Sequence, residues 1–221
     1  MRIVLAFPQL PWPPIGGARA RHWHLFRHVA GRHECHVFAL RPPDEPTAAD
    51  PPFNPFASTE IVDIPGANPP RFSKDWLTLR IRSLEHPAAA WFQPAARARF
   101  AALLARVRPD AVVYGMSWML PYAASARGIP GIADEHNYDP QITARIAASR
   151  RGHDALKWRA YARLNASAER RNLREIRGIA ACSEQDAAIF RHEATTPTWR
   201  WCLTGSTRRR SRLRRRAPAS S

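Results

Sequence analysis

The sequence predicts an α/β fold: one Rossmann-like lobe with a doubly wound, mostly parallel sheet, followed by a disordered basic tail. Three observations carry this. Short apolar runs alternate with longer segments of helical period, the pattern of βα units. The first run passes through a Pro- and Gly-rich loop into a helix and then a second apolar run, which makes a βαβ unit. The regular pattern continues to about residue 196 and then gives way to dense Arg.

The opening run, residues 2–7, is a short, mostly apolar segment of the kind a buried parallel strand shows. Residues 8–17 form the loop. Residues 18–30 read as a helix with Trp23, Phe26, Val29 and Ala30 on one face and Gly31 as its stop. Residues 34–40 read as the second strand. Residues 41–58 hold six prolines and sustain neither helix nor central strand. Residues 60–64 follow as a third strand, and 71–84 as an amphipathic helix packed on the core, with membrane contact as the weaker reading.

Residues 95–107 are the clearest helix, because Phe100, Leu103, Leu104 and Val107 fall at i, i+3, i+4 and i+7. A strand over 111–114 comes next, then a helix over 121–128 starting at Pro121. A strand over 129–133 delivers Asp134-Glu135-His136-Asn137 to a loop. A long basic helix (153–176), a strand (179–182) and a last helix (184–192), capped through Ser183 and Asp186, complete the lobe.

Composition narrows the function classes. Hydrophobic residues make up 45% and charged residues 24%, ordinary for a globular protein. No apolar run approaches the ~20 residues of a membrane span, and the N-terminal run is too short for a secretory signal. A cytoplasmic protein is the default expectation, with the inner face of the membrane left open. Cys35, Cys182 and Cys202 share no metal-ligand spacing and leave an odd count, so reduced thiols are expected. The formal charge is +16, and the eight Arg between residues 198 and 221, with no acid among them, supply half of it. All basic residues but Lys74 and Lys157 are Arg, a skew that reads as GC-rich coding rather than as a nucleic-acid signal.

Two segments fall where this architecture places function, at the carboxyl ends of strands. Gly16 and Gly17 precede a helix, so they allow either close approach of a phosphate to free N–H groups or simply a tight turn. Asp134-Glu135-His136-Asn137-Tyr138-Asp139-Pro140 is either a solvated, helix-capping loop or a site, with His136 able to bond a sugar hydroxyl or move a proton. His24 and His28 lie four apart on a helix but lack a third ligand, so packing or surface roles are expected. No Gly-x-Ser-x-Gly elbow supports a serine hydrolase.

The order of these pieces resembles the N-terminal domain of family 4 glycosyltransferases, whose GT-B fold sets two Rossmann-like domains face to face. The resemblance rests on the Arg2 to Leu5 strand, the Pro13-Pro14-Ile15-Gly16-Gly17 loop and Arg108-Pro109-Asp110 before a strand. It rests also on the Asp134-Glu135-His136-Asn137 loop and on a Glu- and Arg-rich helix leading to Ser183-Glu184. It covers residues 1 to about 193. It implies a retaining transfer from a nucleotide-sugar to an acceptor of unknown type, without a bound metal or other cofactor. Gly16 and Gly17 would lie beside the donor diphosphate, and His136 near the transferred sugar as the catalytic residue. Asp134, Glu135 and Asn137 would face the acceptor.

Past residue 195 the family pattern stops. Residues 1–196 are therefore expected as the acceptor-side domain and 197–221 as a disordered, out-of-frame Arg-rich tail, from a frameshift or miscalled frame near Thr195. Such a chain is expected to be an incomplete enzyme without turnover. The competing expectation is a non-enzymatic protein using its Arg-rich tail to bind nucleic acid or anionic membrane, with nonspecific anion binding in either case.

Overall fold

In the computed structural model the described residues are 1–43, 45, 53–65, 71–85, 88–193 and 200–203. Seven strands form one all-parallel sheet in the order β3-β2-β1-β4-β5-β6-β7. They are β1 Arg2–Phe7, β2 Glu34–Arg41, β3 Ser58–Asp63, β4 Ala111–Gly115, β5 Gly131–Glu135, β6 Gly178–Ala181 and β7 Arg200–Leu203. The helices are α1 Gly17–Ala30, α2 Lys74–Glu85, α3 Pro94–Val107, α4 Asp139–Ser149, α5 Gly152–Leu173 and α6 Glu184–Glu193, with a 3-10 helix at Ser117–Ser125. The chain builds outward from β1 through β2 to β3, then returns to the other side of β1 with β4.

Both faces of the sheet are covered, as continuous apolar strands require. Successive side chains of β1 point to opposite faces. Ile3, Leu5 and Phe7 meet Trp23 and Phe26 of α1, while Val4 and Ala6 join Phe100, Leu103, Leu104 and Val107 of α3. The predicted stripe of α3 is therefore its buried face. Arg108, left-handed at φ 48°, ends that helix.

Four expectations are corrected. The helix expected over 121–128 is the 3-10 helix from Ser117, with Pro121 inside it. Proline disfavours α geometry at the residue before it, and tertiary bonds hold the tighter form: Tyr122 Oη donates to the Trp91 carbonyl at 2.8 Å, and Ser117 is tied to Asp139. The strand expected to end at 133 starts after Pro130 and includes Asp134 and Glu135. Helix α4 was not anticipated. Finally, Arg200–Leu203 pairs with β6 as a strand within the span expected to be a disordered tail. The other residues of that expected tail lie outside the described residues.

The amphipathic segment forms α2, with Trp76 and Leu79 half-buried but Leu77 and Ile81 exposed. Ser183 caps α6 as expected, accepting the Asp186 backbone N–H at 3.0 Å. His24 and His28 are exposed. No described helix is long and apolar enough to cross a membrane.

Candidate active-site rim and adjoining cavity

Strand order reverses between β1 and β4, and in open α/β sheets the crevice beyond the strand ends at such a reversal is where ligands sit. One wall is the loop into α1. Gly16 holds φ 83°, a backbone conformation that side chains disfavour, and a methyl group built at Gly16 or Gly17 would meet nothing within 4 Å. No side chain caps α1 and its first turn carries no acid. The first turn thus carries the positive end of the helix dipole with no side-chain cap from Gly16, and its Arg19 pairs with Glu45.

About one helical turn further on, α1 reaches β5. Arg21 donates from Nε to Asp134 Oδ2 at 3.2 Å and from Nη2 to Oδ1, a bidentate clamp. Asp134 is buried. Burial alone would raise its pKa, but His136 and Arg21 outweigh burial and hold it below the usual carboxylate range. His22 Nε2 lies 3.6 Å and His136 Nε2 3.7 Å from Asp134 Oδ2, and the two rings stand 4.8 Å apart. His22 stacks on Phe7 at 4.4 Å. Burial, aided by His136, pushes the pKa of His22 down to about 3, so it is neutral. Both His22 Nε2 and His136 Nε2 are buried without a hydrogen-bond partner among the described residues.

His22 fits only because residue 115 is glycine. A methyl group there would come within 2.6 Å of Phe7 Cδ1 and 2.7 Å of His22 Nε2. The next residue, Met116, is held at φ 69°, ψ 153°, a region almost reserved for glycine. Its N–H donates to the Asp134 carbonyl at 3.0 Å, which ties the end of β4 to the end of β5.

His22, Asp134 and His136 bring one potential metal-ligand atom each within 4.8 Å of one another. Arg21 already engages both Asp134 oxygens, so a cation would compete with a guanidinium for them.

The Asp134-Glu135-His136-Asn137 stretch divides by alternation. Asp134 and His136 face α1, while Glu135 and Asn137 turn toward α5. There a cavity of about 550 Å³ opens, bounded by α2, α4, α5 and the 3-10 helix. Trp91 and Trp118 stack in parallel at 4.9 Å on one side, and Trp158 and Tyr161 of α5 line another. Asp139 accepts from Ser117 Oγ at 2.8 Å and Trp118 Nε1 at 3.0 Å. Glu169 lines the cavity and is buried; burial, then Asp139, pushes its pKa up to about 8. Glu135 is buried behind it, and burial, then Glu169, raises its pKa well above the ordinary value.

The sequence-derived residues therefore meet in two neighbouring places. Gly16, Gly17, Asp134 and His136 share the α1 rim. Asn137 lines the cavity. Glu135, expected to face an acceptor, does not line it, and Asp134 points to Arg21 instead. Sequence reasoning missed Arg21, His22, Gly115 and Glu169, and placed Asp139 in the candidate segment without a role. The alternation of β5 signalled the split, and Arg21-His22 falls one turn after the glycine pair.

An all-parallel Rossmann-like sheet with helices on both faces is the lobe of which GT-B folds are built. The family model for Glycosyltransferase Family 4 matches residues 15–201, and the chain belongs to that family. No curated protein matches the sequence. Among solved structures it resembles sucrose-phosphate synthase from Thermosynechococcus elongatus, with TM-score 0.55 and 13% identity over 92% of this chain and 48% of that one. A second structure of that enzyme gives TM-score 0.50 and 12% identity, covering 93% and 90% of the two chains. A UGT transferase from Siraitia grosvenorii in complex with UDP gives TM-score 0.46 and 11% identity over 86% and 47%. The chain thus spans about half the length of the first of these structures.

Proposed function

We propose that this lobe is the acceptor-side wall of a site that moves a sugar from a nucleotide-sugar to an acceptor, with retention of configuration and without a bound metal. The observation that carries this is the docking of α1 on the end of β5. It sets the open Gly16–Gly17 helix start and His136 on one rim. The first-turn N–H groups of α1 suit the diphosphate of a leaving nucleotide, where preorganised donors stabilise developing charge. His136, beside the ionised Asp134, lies next to the sugar. With Asp134 engaged by Arg21, the help for the diphosphate comes from the backbone dipole at the start of α1 rather than from a metal.

Positioning does most of the work in such a site, and half of the positioning belongs to a facing lobe. The 221-residue polypeptide assayed by itself therefore transfers no sugar. The test is an NMR titration of the full chain with UDP. The Gly16, Gly17 and Ala18 amides should shift, and Gly17→Glu should weaken the effect at least tenfold. That variant leaves the fold intact, because an acid in the first turn of a helix is stabilising. Shifts confined to other regions would refute the rim assignment. Transfer from a nucleotide-sugar by the purified chain would refute the half-site.

A further inference from the structure

The cavity beside the rim has a charge character opposite to that of the chain. The protein carries a formal +16, yet no described residue lining this cavity is Arg, Lys or His. Its polar side chains are instead the carboxyls of Asp139 and Glu169 together with uncharged amides and hydroxyls, among them Asn137, Asn165, Asn172, Ser117 and Thr143. Its apolar lining includes Trp91, Trp118, Trp158 and Tyr161, with the Trp91–Trp118 pair stacked, beside Leu79, Ile142 and Ile146. Glu169 is 97% buried, and its Oε1 has no hydrogen-bond partner among the described residues. An orphaned buried carboxyl oxygen costs free energy unless something meets it. A ligand hydroxyl or amine reaching the cavity floor would do so.

The geometry points to the cavity as the binding site for a neutral or amine-bearing sugar ring, held by aromatic stacking and hydroxyl-to-carboxyl hydrogen bonds, and closed to phosphorylated or carboxylated acceptors. This rests on the reading of the lobe as an acceptor wall and names the class of acceptor. The physical case is one of complementarity. Axial C–H faces of a pyranose pack against indole rings, and its hydroxyls donate to Asp139 and the Asn carbonyls. Burial keeps Glu169 protonated near neutral pH, so that its carboxyl both donates to and accepts from a hydroxyl. An anionic substituent would meet the Asp139 carboxylate in a partly desolvated space with no cation among the described lining residues, and like charges repel most where water is excluded.

The test follows the indole Nε1–H resonance of Trp118 in the full chain, assigned through Trp118→Phe. A local probe is needed because Arg elsewhere binds anions regardless of this cavity. Glucose, glucosamine, glucose 6-phosphate and glucuronate serve as probes at pH 7. Glucose and glucosamine should shift the resonance in a saturable way. The two anionic sugars should need at least tenfold higher concentration for the same shift. Asp139→Asn, which keeps the side-chain shape, should narrow that gap to about threefold or less. Equal or stronger shifts from the anionic sugars, no shift from any probe, or an unchanged gap in Asp139→Asn would overturn the assignment. Outcomes for the two proposals separate cleanly. A Trp118 response to glucose without an amide response to UDP removes the transferase reading but keeps the sugar cavity. The converse removes the cavity alone.

Discussion

Gly115 shows how one residue can set a site without touching a ligand. It ends β4 beneath the His22 ring, where a methyl group would stand 2.7 Å from Nε2 and 2.6 Å from Phe7 Cδ1. Neither neighbour can yield easily. His22 is stacked on Phe7 and pressed toward His136, and both lie in the buried layer under α1. Gly115→Ala should therefore destabilise the protein by about 1–3 kcal/mol, the usual range for overpacking. It should also turn His22 away from Asp134. Thermal unfolding checks the first effect, and the His22 and His136 ring resonances check the second. A variant with wild-type stability and unmoved imidazole signals would show that the glycine is dispensable. The neighbouring Met116, at φ 69°, stores strain at the same switch point. Here too the backbone is shaped for the site and not for its own comfort.

At the level of elements, the clearest sequence signal was also the most consequential for packing. The i, i+3, i+4, i+7 stripe of α3 is the buried one, and Phe100 stands at its centre against Phe38, Tyr114 and Tyr122. Phe100→Ala should cost about 3–5 kcal/mol, read as a lower denaturant midpoint with an unchanged slope. Loss of less than about 1 kcal/mol would mean that the layer collapses into the space. Strands β1, β2 and β4 were legible because parallel strands buried on both faces are continuous apolar runs. The α6 cap was legible because Ser183 and Asp186 sit three apart. What was lost followed from specific chemistry. Pro130 donates no hydrogen bond, so β5 begins later than its apolar run and carries two acids into the buried carboxyl end of an interior strand. Those acids looked like loop residues because their partners, Arg21 and Glu169, are 113 and 34 positions away. Pro140, which sits in the first turn of α4, was a start signal read as part of a loop. Arg21 and His22 carried no signal, because helix period alone does not tell which polar residue turns inward.

Across the whole molecule, the buried ionisable groups make stability depend on pH from both sides. Glu169 has an ordinary pKa near 4.5 in the unfolded chain and about 8 in the folded one. Between those values the unfolded state ionises while the native state keeps its proton. The native state then binds more protons, so stability falls as pH rises from about 4.5 to about 8, and Glu135 acts in the same direction. His22 works at the other end. Its folded pKa of about 3 lies below the ordinary 6.5, so the unfolded state takes up a proton that the native state refuses, and stability falls as pH drops from about 6.5 toward 3. Each group contributes a slope of at most about 1.4 kcal/mol per pH unit, so the full alkaline loss amounts to a few kcal/mol. Glu169→Gln isolates it, because glutamine mimics the protonated carboxyl in shape and cannot ionise. At pH 5 the variant and the wild type should melt within a degree or two of each other. At pH 9 the variant should be the more stable by several degrees, since the wild type alone must hold a carboxylate in the cavity floor. A constant difference between the two from pH 5 to pH 9 would mean that Glu169 meets enough water to ionise normally, and the cavity would then be wetter and less selective than its aromatic walls suggest.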